Sequence, residues 1–370
     1  MPSSSQTGRY APQNTSNGQA VCVYHLLLLI RYLQKLMLDL VPRPISPLQS
    51  SEISLQIEVA FFSQPRSLDA ALERFHFLGN YTSVKDNKEV SACVEEEHLV
   101  VVPLYPQYSS VHAGVAFDAL TNSSYFAAHR TIPHLHFLRS YATKTAYINA
   151  LTTSIRRYCA AHGSPDWLFV VFEGLSRRFI TSGDCYQVEC QRTFTALRTA
   201  LSTHKNTTMT TPLDDGIDST STMDGSAEKD VIHSPPPFSS SKRLLDIEIP
   251  SNRITISFLE WGVEPCLEPS PSDIVSGIAT MARQIFKQEI STSNPDKCEE
   301  IEKISKVLGT AYFVCPGMAV DDNRSLQVVQ KQLCKQCLEL GWLRAEYIPA
   351  LNESPEQLKM LVSIISEYIH

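Results

Sequence analysis

The stretch VVFEGLSRR, residues 170–178, sets a single carboxylate, Glu173, directly after the apolar run Leu168–Phe172 and ahead of a glycine and two arginines. A carboxylate at the mouth of a buried strand can ligate a cation, accept a proton or answer a buried positive charge, and each role needs a partner from elsewhere in the chain. Two other groupings carry residue types with chemical potential. His129, His134 and His136 crowd one short segment. His134 and His136 share a face of a short strand with no acidic or cysteine ligand adjoining, so they read as strand residues rather than a metal site. Cys334-Lys-Gln-Cys337 has metal-ligand spacing. Leu326, Val329, Leu333, Cys337 and Leu340 nevertheless form one helical stripe, and no second ligand pair is visible, so these thiols read as packing.

The elements that must position Glu173 alternate in type. Strand-like runs recur at Ile57–Phe62, Leu99–Leu104, Leu135–Leu138, Leu168–Phe172, Ile254–Phe258 and Ala311–Cys315. Between them Ile148, Leu151, Ile155 and Tyr158, and again Cys190, Phe194, Leu197 and Leu201, recur at helical spacing. Buried strands alternating with helices imply a parallel sheet covered on both faces, a doubly wound α/β class whose ligands sit at the carboxyl ends of the strands, where Glu173 stands. The last helix has a clear start: Ser354 as N-cap, Pro355 at the first helical position and Gln357 completing a capping box, with Leu358, Leu361, Ile365 and Tyr368 as the buried stripe. In 204–243, nineteen of forty residues are Ser, Thr, Pro or Gly, too few apolar groups to offset ordering entropy, so a disordered insertion is expected.

Composition bounds the function class. The chain has 370 residues, 43% hydrophobic and 19% charged, with a formal charge of −7. Scattered Lys and Arg on a net acidic chain exclude a nucleic-acid footprint. Ten cysteines without framework spacing point to reduced thiols in an intracellular compartment. The cluster VCVYHLLLLI (21–30) is about half the length of a spanning helix, so no transmembrane span is expected. Residues 1–19 read as a disordered tail.

VVVPLYPQYSSVHAGVAFDAL (100–120), RTIPHLHFLRSYATKTAYINAL (130–151), HGSPDWLFVVFEGLSRRFITSGDCYQVECQRT (162–193), CPGMAVDD (315–322) and YIPALNESPEQLKMLVSIISEYI (347–369) resemble, in order, successive segments of the ferrochelatase family. The resemblance implies two Rossmann-like domains of the chelatase superfamily, parallel sheets flanked by helices, with a porphyrin cleft between them. The N-terminal domain would span 20–160 with a truncated first strand and lip; the C-terminal domain would span 161–345 and carry the insertion, and a helix at 346–370 would close the fold. It also implies haem biosynthesis: insertion of Fe²⁺, as substrate, into protoporphyrin IX. No dissociable cofactor is expected, and the absence of a C-terminal cysteine cluster argues against an iron–sulphur cluster.

The chain departs from the family at both catalytic positions. The family's essential His, after the central strand, is Glu173, and its catalytic Glu is Arg324 in DDNRSL. A guanidinium cannot release a proton and repels an approaching Fe²⁺, so Glu173 is expected to be neutralised by Arg324. Other segments have drifted. The porphyrin lip keeps Ser46, Pro47 and Leu48 without its glycines, Phe62 stands at a family Tyr, and FLEWGVEP (258–265) lacks the family's Arg. Tyr105, Tyr108 and Ser109 of the PLYPQYS turn would face the porphyrin, and His112 is a candidate substitute base.

Three readings follow. In the first the protein is catalytically impaired, a pseudoenzyme that still binds protoporphyrin IX or haem. In the second it is an active lyase with Glu173 as metal ligand and His112 as base. In the third it is a structural or regulatory partner in haem handling. The expected setting is intracellular, cytoplasmic or mitochondrial, with peripheral membrane contact compatible and oligomeric state open.

Overall fold

The computed structural model describes residues 29–34, 56–61, 65–75, 98–128, 133–203, 247–260, 264–289 and 297–368. Ser46, Pro47, Leu48, Phe62, His129, the tail 1–19 and the insertion 204–243 lie outside them.

In the first half, helix α1 (Pro65–Arg74) precedes strand β1 (His98–Val101), helices α2 (Ala113–Thr121) and α3 (Ser124–Ala128), and strand β2 (His134–Phe137). β1 and β2 pair in parallel, Leu99 opposite Leu135 and Val101 opposite Phe137. Leu72, Leu99, Leu120 and Tyr125 bury one another behind this pair.

The second half runs α4 (Thr145–His162), β3 (Trp167–Glu173), α5 (Arg177–Thr181), α6 (Tyr186–Ser202), β4 (Ile254–Leu259), α7 (Pro271–Glu289), α8 (Lys297–Leu308) and β5 (Thr310–Val314). A π-helical segment, Arg324–Leu333, then winds into α9 (Cys334–Glu339), followed by β6 (Arg344–Ile348) and α10 (Pro355–Ser366). The four strands form one parallel sheet in the order β4-β3-β5-β6. β3 is apolar up to Glu173 because both its faces are covered. Leu168, Val170 and Phe172 pack with α4, α6 and α10 on one side, whereas Phe169 and Val171 pack with α7 and α9 on the other. Each such side chain stabilises the fold by about 1.5–3 kcal/mol on burial.

This strand order decides where a ligand could sit. From β3 the chain crosses to β4 on one side, and from β5 it continues to β6 on the other. The carboxyl ends of β3 and β5 therefore flank the point where the winding reverses, the position at which open α/β sheets bind ligands. Glu173 ends β3 opposite Leu259 of β4. A side chain on Gly174 would strike the Leu259 carbonyl, so only glycine lets the chain turn out of the sheet beside β4.

Several sequence expectations need correction. Residues 57–61 form no strand; Ile57 packs partly buried on the main core instead, and its carbonyl accepts from Gln34 Nε2 at 3.4 Å. β1 stops at Val101, and residues 102–112 run on to set His112 against Glu173. β6 went unread because Arg344 and Glu346 interrupt any apolar run in RAEYI: it pairs with β5 alone at the sheet edge and buries only Tyr347 and Ile348. The stripe through Val329, Leu333 and Cys337 is buried as read, although the backbone is π-wound over its first ten residues. At α10, Ser354 Oγ accepts the Gln357 N–H at 3.2 Å, but Gln357 does not complete a capping box. The Ser354 N–H is already held by the Leu351 carbonyl at 3.0 Å, and the Gln357 amide is buried with no hydrogen-bond partner. Among the described residues no helix is long and apolar enough to cross a membrane.

Candidate functional site

Three loops converge at the carboxyl ends of β3 and β5. The end of β3 supplies Glu173, only 8% exposed. The loop after β1 supplies Tyr105, Ser109 and His112, and the loop after β5 supplies Arg324. Glu173 Oε2 lies 2.6 Å from His112 Nε2. Its other oxygen, Oε1, contacts Arg324 Nη1, so the ion pair expected from the family resemblance is present. His112 Nδ1 lies 2.8 Å from the hydroxyl of fully buried Ser109. The Tyr105 ring stacks on the imidazole at 4.5 Å between centroids, and Tyr186 meets it edge-on at 6.0 Å.

The charge state follows from burial. Desolvation, reinforced by the Arg324 guanidinium and opposed by Asp184, pulls His112 down from 6.5 to about 4, so the imidazole is neutral at physiological pH. Its two contacts then assign the tautomer: Nε2–H donates to Glu173, and Nδ1 accepts the Ser109 hydroxyl proton. Burial also lowers Arg324, to about 10, which leaves it cationic at neutral pH. Glu173 thus has a cation on one oxygen and a neutral donor on the other.

The arginine is held from behind by groups that sequence reading missed. Asp322 Oδ1 accepts the backbone N–H groups of Arg324 and Ser325, both at 2.9 Å, and so starts the π-helical segment. Asp321, buried beside it, accepts from Tyr347 Oη at 2.6 Å and from Asn352 Nδ2 at 2.8 Å, tying this loop to the end of β6. Asp-Asp-Asn-Arg-Ser is a helix-start signature, and that signal could have located both carboxylates. Asp184, also missed, accepts the Ser110 N–H at 2.6 Å and the Tyr186 N–H at 2.8 Å, joining the His112 loop to α6. Buried Gln107 donates to Thr193 Oγ1 at 3.0 Å.

Of the other candidates, Tyr105 and Ser109 touch His112 directly. Tyr108 does not; its ring carries the Arg139 guanidinium at 4.1 Å. Cys334 and Cys337 are buried, and desolvation pushes both thiols up to about 12, so they are packing groups rather than ligands or nucleophiles. Among the described residues no three His, Cys, Asp or Glu side chains are placed to hold a metal ion. A cavity of 430 Å³ beside Ser140, Thr143, Lys144, Glu189 and Arg192 borders α4 and α6 and does not include Glu173.

A family model described as Ferrochelatase matches residues 80–211, a span that includes β1, β3, His112 and Glu173. The chain is 30% identical over 268 residues to the ferrochelatase of Hamiltonella defensa subsp. Acyrthosiphon pisum (strain 5AT), covering 72% of this chain and 61% of that protein. It is 28% identical over 273 residues to the ferrochelatase of Escherichia coli (strain SMS-3-5 / SECEC), covering 74% and 62%. The chain is thus similar in sequence to the ferrochelatase family over these spans. It spans about three fifths of the length of these ferrochelatases. The ferrochelatase model's match ends before β4, so Arg324 enters the site from a segment outside it.

Proposed function

We propose that this chain is a ferrochelatase-like protein of haem biosynthesis whose cleft binds a tetrapyrrole but has lost efficient insertion of Fe²⁺ into protoporphyrin IX. The observation that supports this reading is the double engagement of Glu173, with Arg324 on Oε1 and His112 on Oε2. Metal insertion requires a base for two pyrrole protons and an approach route tolerant of a dication. Here the carboxylate's charge is already answered, the imidazole has both nitrogens in hydrogen bonds, and a fixed guanidinium faces the path. Half-buried Tyr105, stacked on His112, offers an aromatic surface for a flat macrocycle, while fully buried Ser109 holds the imidazole in place. No resident cofactor and no iron–sulphur cluster belong to this reading; Fe²⁺ would be substrate only. The setting proposed is intracellular.

A second reading, an active lyase with Glu173 as metal ligand and His112 as base, draws on the 2.6 Å contact between a neutral imidazole and a carboxylate. Anaerobic titration with protoporphyrin IX, followed by Fe²⁺ under reducing conditions, separates the readings. Porphyrin binding with no haem absorbance above the protein-free rate is expected. Haem formation at an enzymatic pace would establish the lyase instead, and absence of porphyrin binding would leave a structural or regulatory role in haem handling.

A further inference from the structure

The parallel pairing of β1 with β2 gathers three imidazoles on one face of the small sheet, remote in sequence from Glu173 and Arg324. His98 pairs in register with His134, and His136 follows two residues along β2 on the same face. The His98 ring stacks on His134 at 5.0 Å and on His136 at 5.3 Å, and His98 Nδ1 lies 3.1 Å from His136 Nε2. His98 and His134 are exposed and His136 is half-buried, so solvent ions reach the group.

We propose that His98 and His136 form a two-nitrogen chelate for an imidazole-preferring divalent transition metal, with His134 as an auxiliary donor and water completing the coordination. Two imidazole nitrogens bound to one ion at about 2.0–2.1 Å each stand about 2.9–3.4 Å apart for bond angles between a right angle and the tetrahedral value. The separation of 3.1 Å lies within that window. Strand register presets the separation, and each ring turns about its χ2 bond to aim its lone pair at the ion. In the metal-free protein the same distance suits an N–H···N hydrogen bond between the rings. With His136 Nε2 as the donor, a cation takes the place of the shared proton, which moves to His136 Nδ1, so the proton count balances. The three imidazoles do not converge on one point, which makes this a modest-affinity site rather than a closed structural one. Imidazole without carboxylate selects Cu²⁺, Ni²⁺ and Zn²⁺ over Mg²⁺.

Calorimetric titration of the full chain with Ni²⁺ and Zn²⁺, with Mg²⁺ as control, tests the site. One event per chain with Kd on the order of 1–100 μM is expected, weakened at least tenfold by His98→Ala or His136→Ala, less by His134→Ala, and not at all by His162→Ala. Unchanged binding in the His98→Ala/His136→Ala variant, with an unaltered circular dichroism spectrum and melting temperature, would overturn the proposal. Should that variant unfold, the aromatic proton resonances of the wild-type histidines decide. Selective perturbation of His98 and His136 by Ni²⁺ supports the chelate, and uniform perturbation of all histidines rejects it. Neither result depends on whether the Glu173 site binds porphyrin.

Discussion

Two basic groups crowd one carboxylate at Glu173, and the arrangement is tolerable because only one of them stays charged. Guanidinium is the far stronger base, so Arg324 retains its proton while His112, lowered from 6.5 to about 4 by burial and by that arginine, gives its charge up. Replacing Arg324 with Ala removes one of the two lowering causes and leaves the imidazole facing the carboxylates of Glu173 and Asp184. His112 is then expected to titrate clearly above 4, read from the pH dependence of its ring proton shifts; a titration unmoved by the substitution would show that Arg324 does not act on it. The wild-type value also bears on stability. The folded form binds the proton less well than the unfolded chain, so His112's contribution is fully present above pH 6.5 and is lost as pH falls toward about 4. At about 1.4 kcal/mol per pH unit the loss is on the order of 3 kcal/mol. Urea unfolding of the wild type and of His112→Gln at pH 7 and pH 4.5 checks it: the variant is expected to lose less stability over that interval.

Gly174 carries the chain from strand to crevice, and its constraint is local. A methyl group there meets the Leu259 carbonyl of the neighbouring strand, and backbone on both sides cannot yield cheaply. Gly174→Ala is expected to destabilise by roughly 2 kcal/mol or more, measured as a lowered urea midpoint, and to loosen the Glu173 contacts. The same element shows why some of the fold was legible and some was not. β3 and β5, buried on both faces, print as continuous apolar runs. β6 sits at an edge, covered on one side, and its Arg344 and Glu346 bond each other rather than announce a strand. Ile57 failed in the opposite sense: an apolar residue needs only a hydrophobic surface to pack on, whereas a strand needs a partner backbone.

The site as a whole is assembled from three loops distant in sequence, and α4, leading out of the first half, packs its buried face against α6, α10 and the large sheet rather than against β1 and β2. Restoring family identities at two positions therefore acts on only part of a larger change. Glu173→His with Arg324→Glu is expected to stay well below a ferrochelatase's pace in an iron-insertion assay, because the family resemblance implies further differences in the lip and strand-end segments; recovery to such a pace would show that two charges alone had silenced the site. What the amino-acid order determined by itself was the α/β class and the placement of Glu173 at the end of a buried strand, because apolar periodicity is a property of neighbouring residues; that Arg324 opposes Glu173 came from the resemblance to the ferrochelatase family. What only tertiary structure decided was that His112 takes the second carboxylate oxygen, that burial strips its charge, and that His98 meets His136. Those outcomes depend on strand order and desolvation, which arise from contacts between segments that no local pattern records.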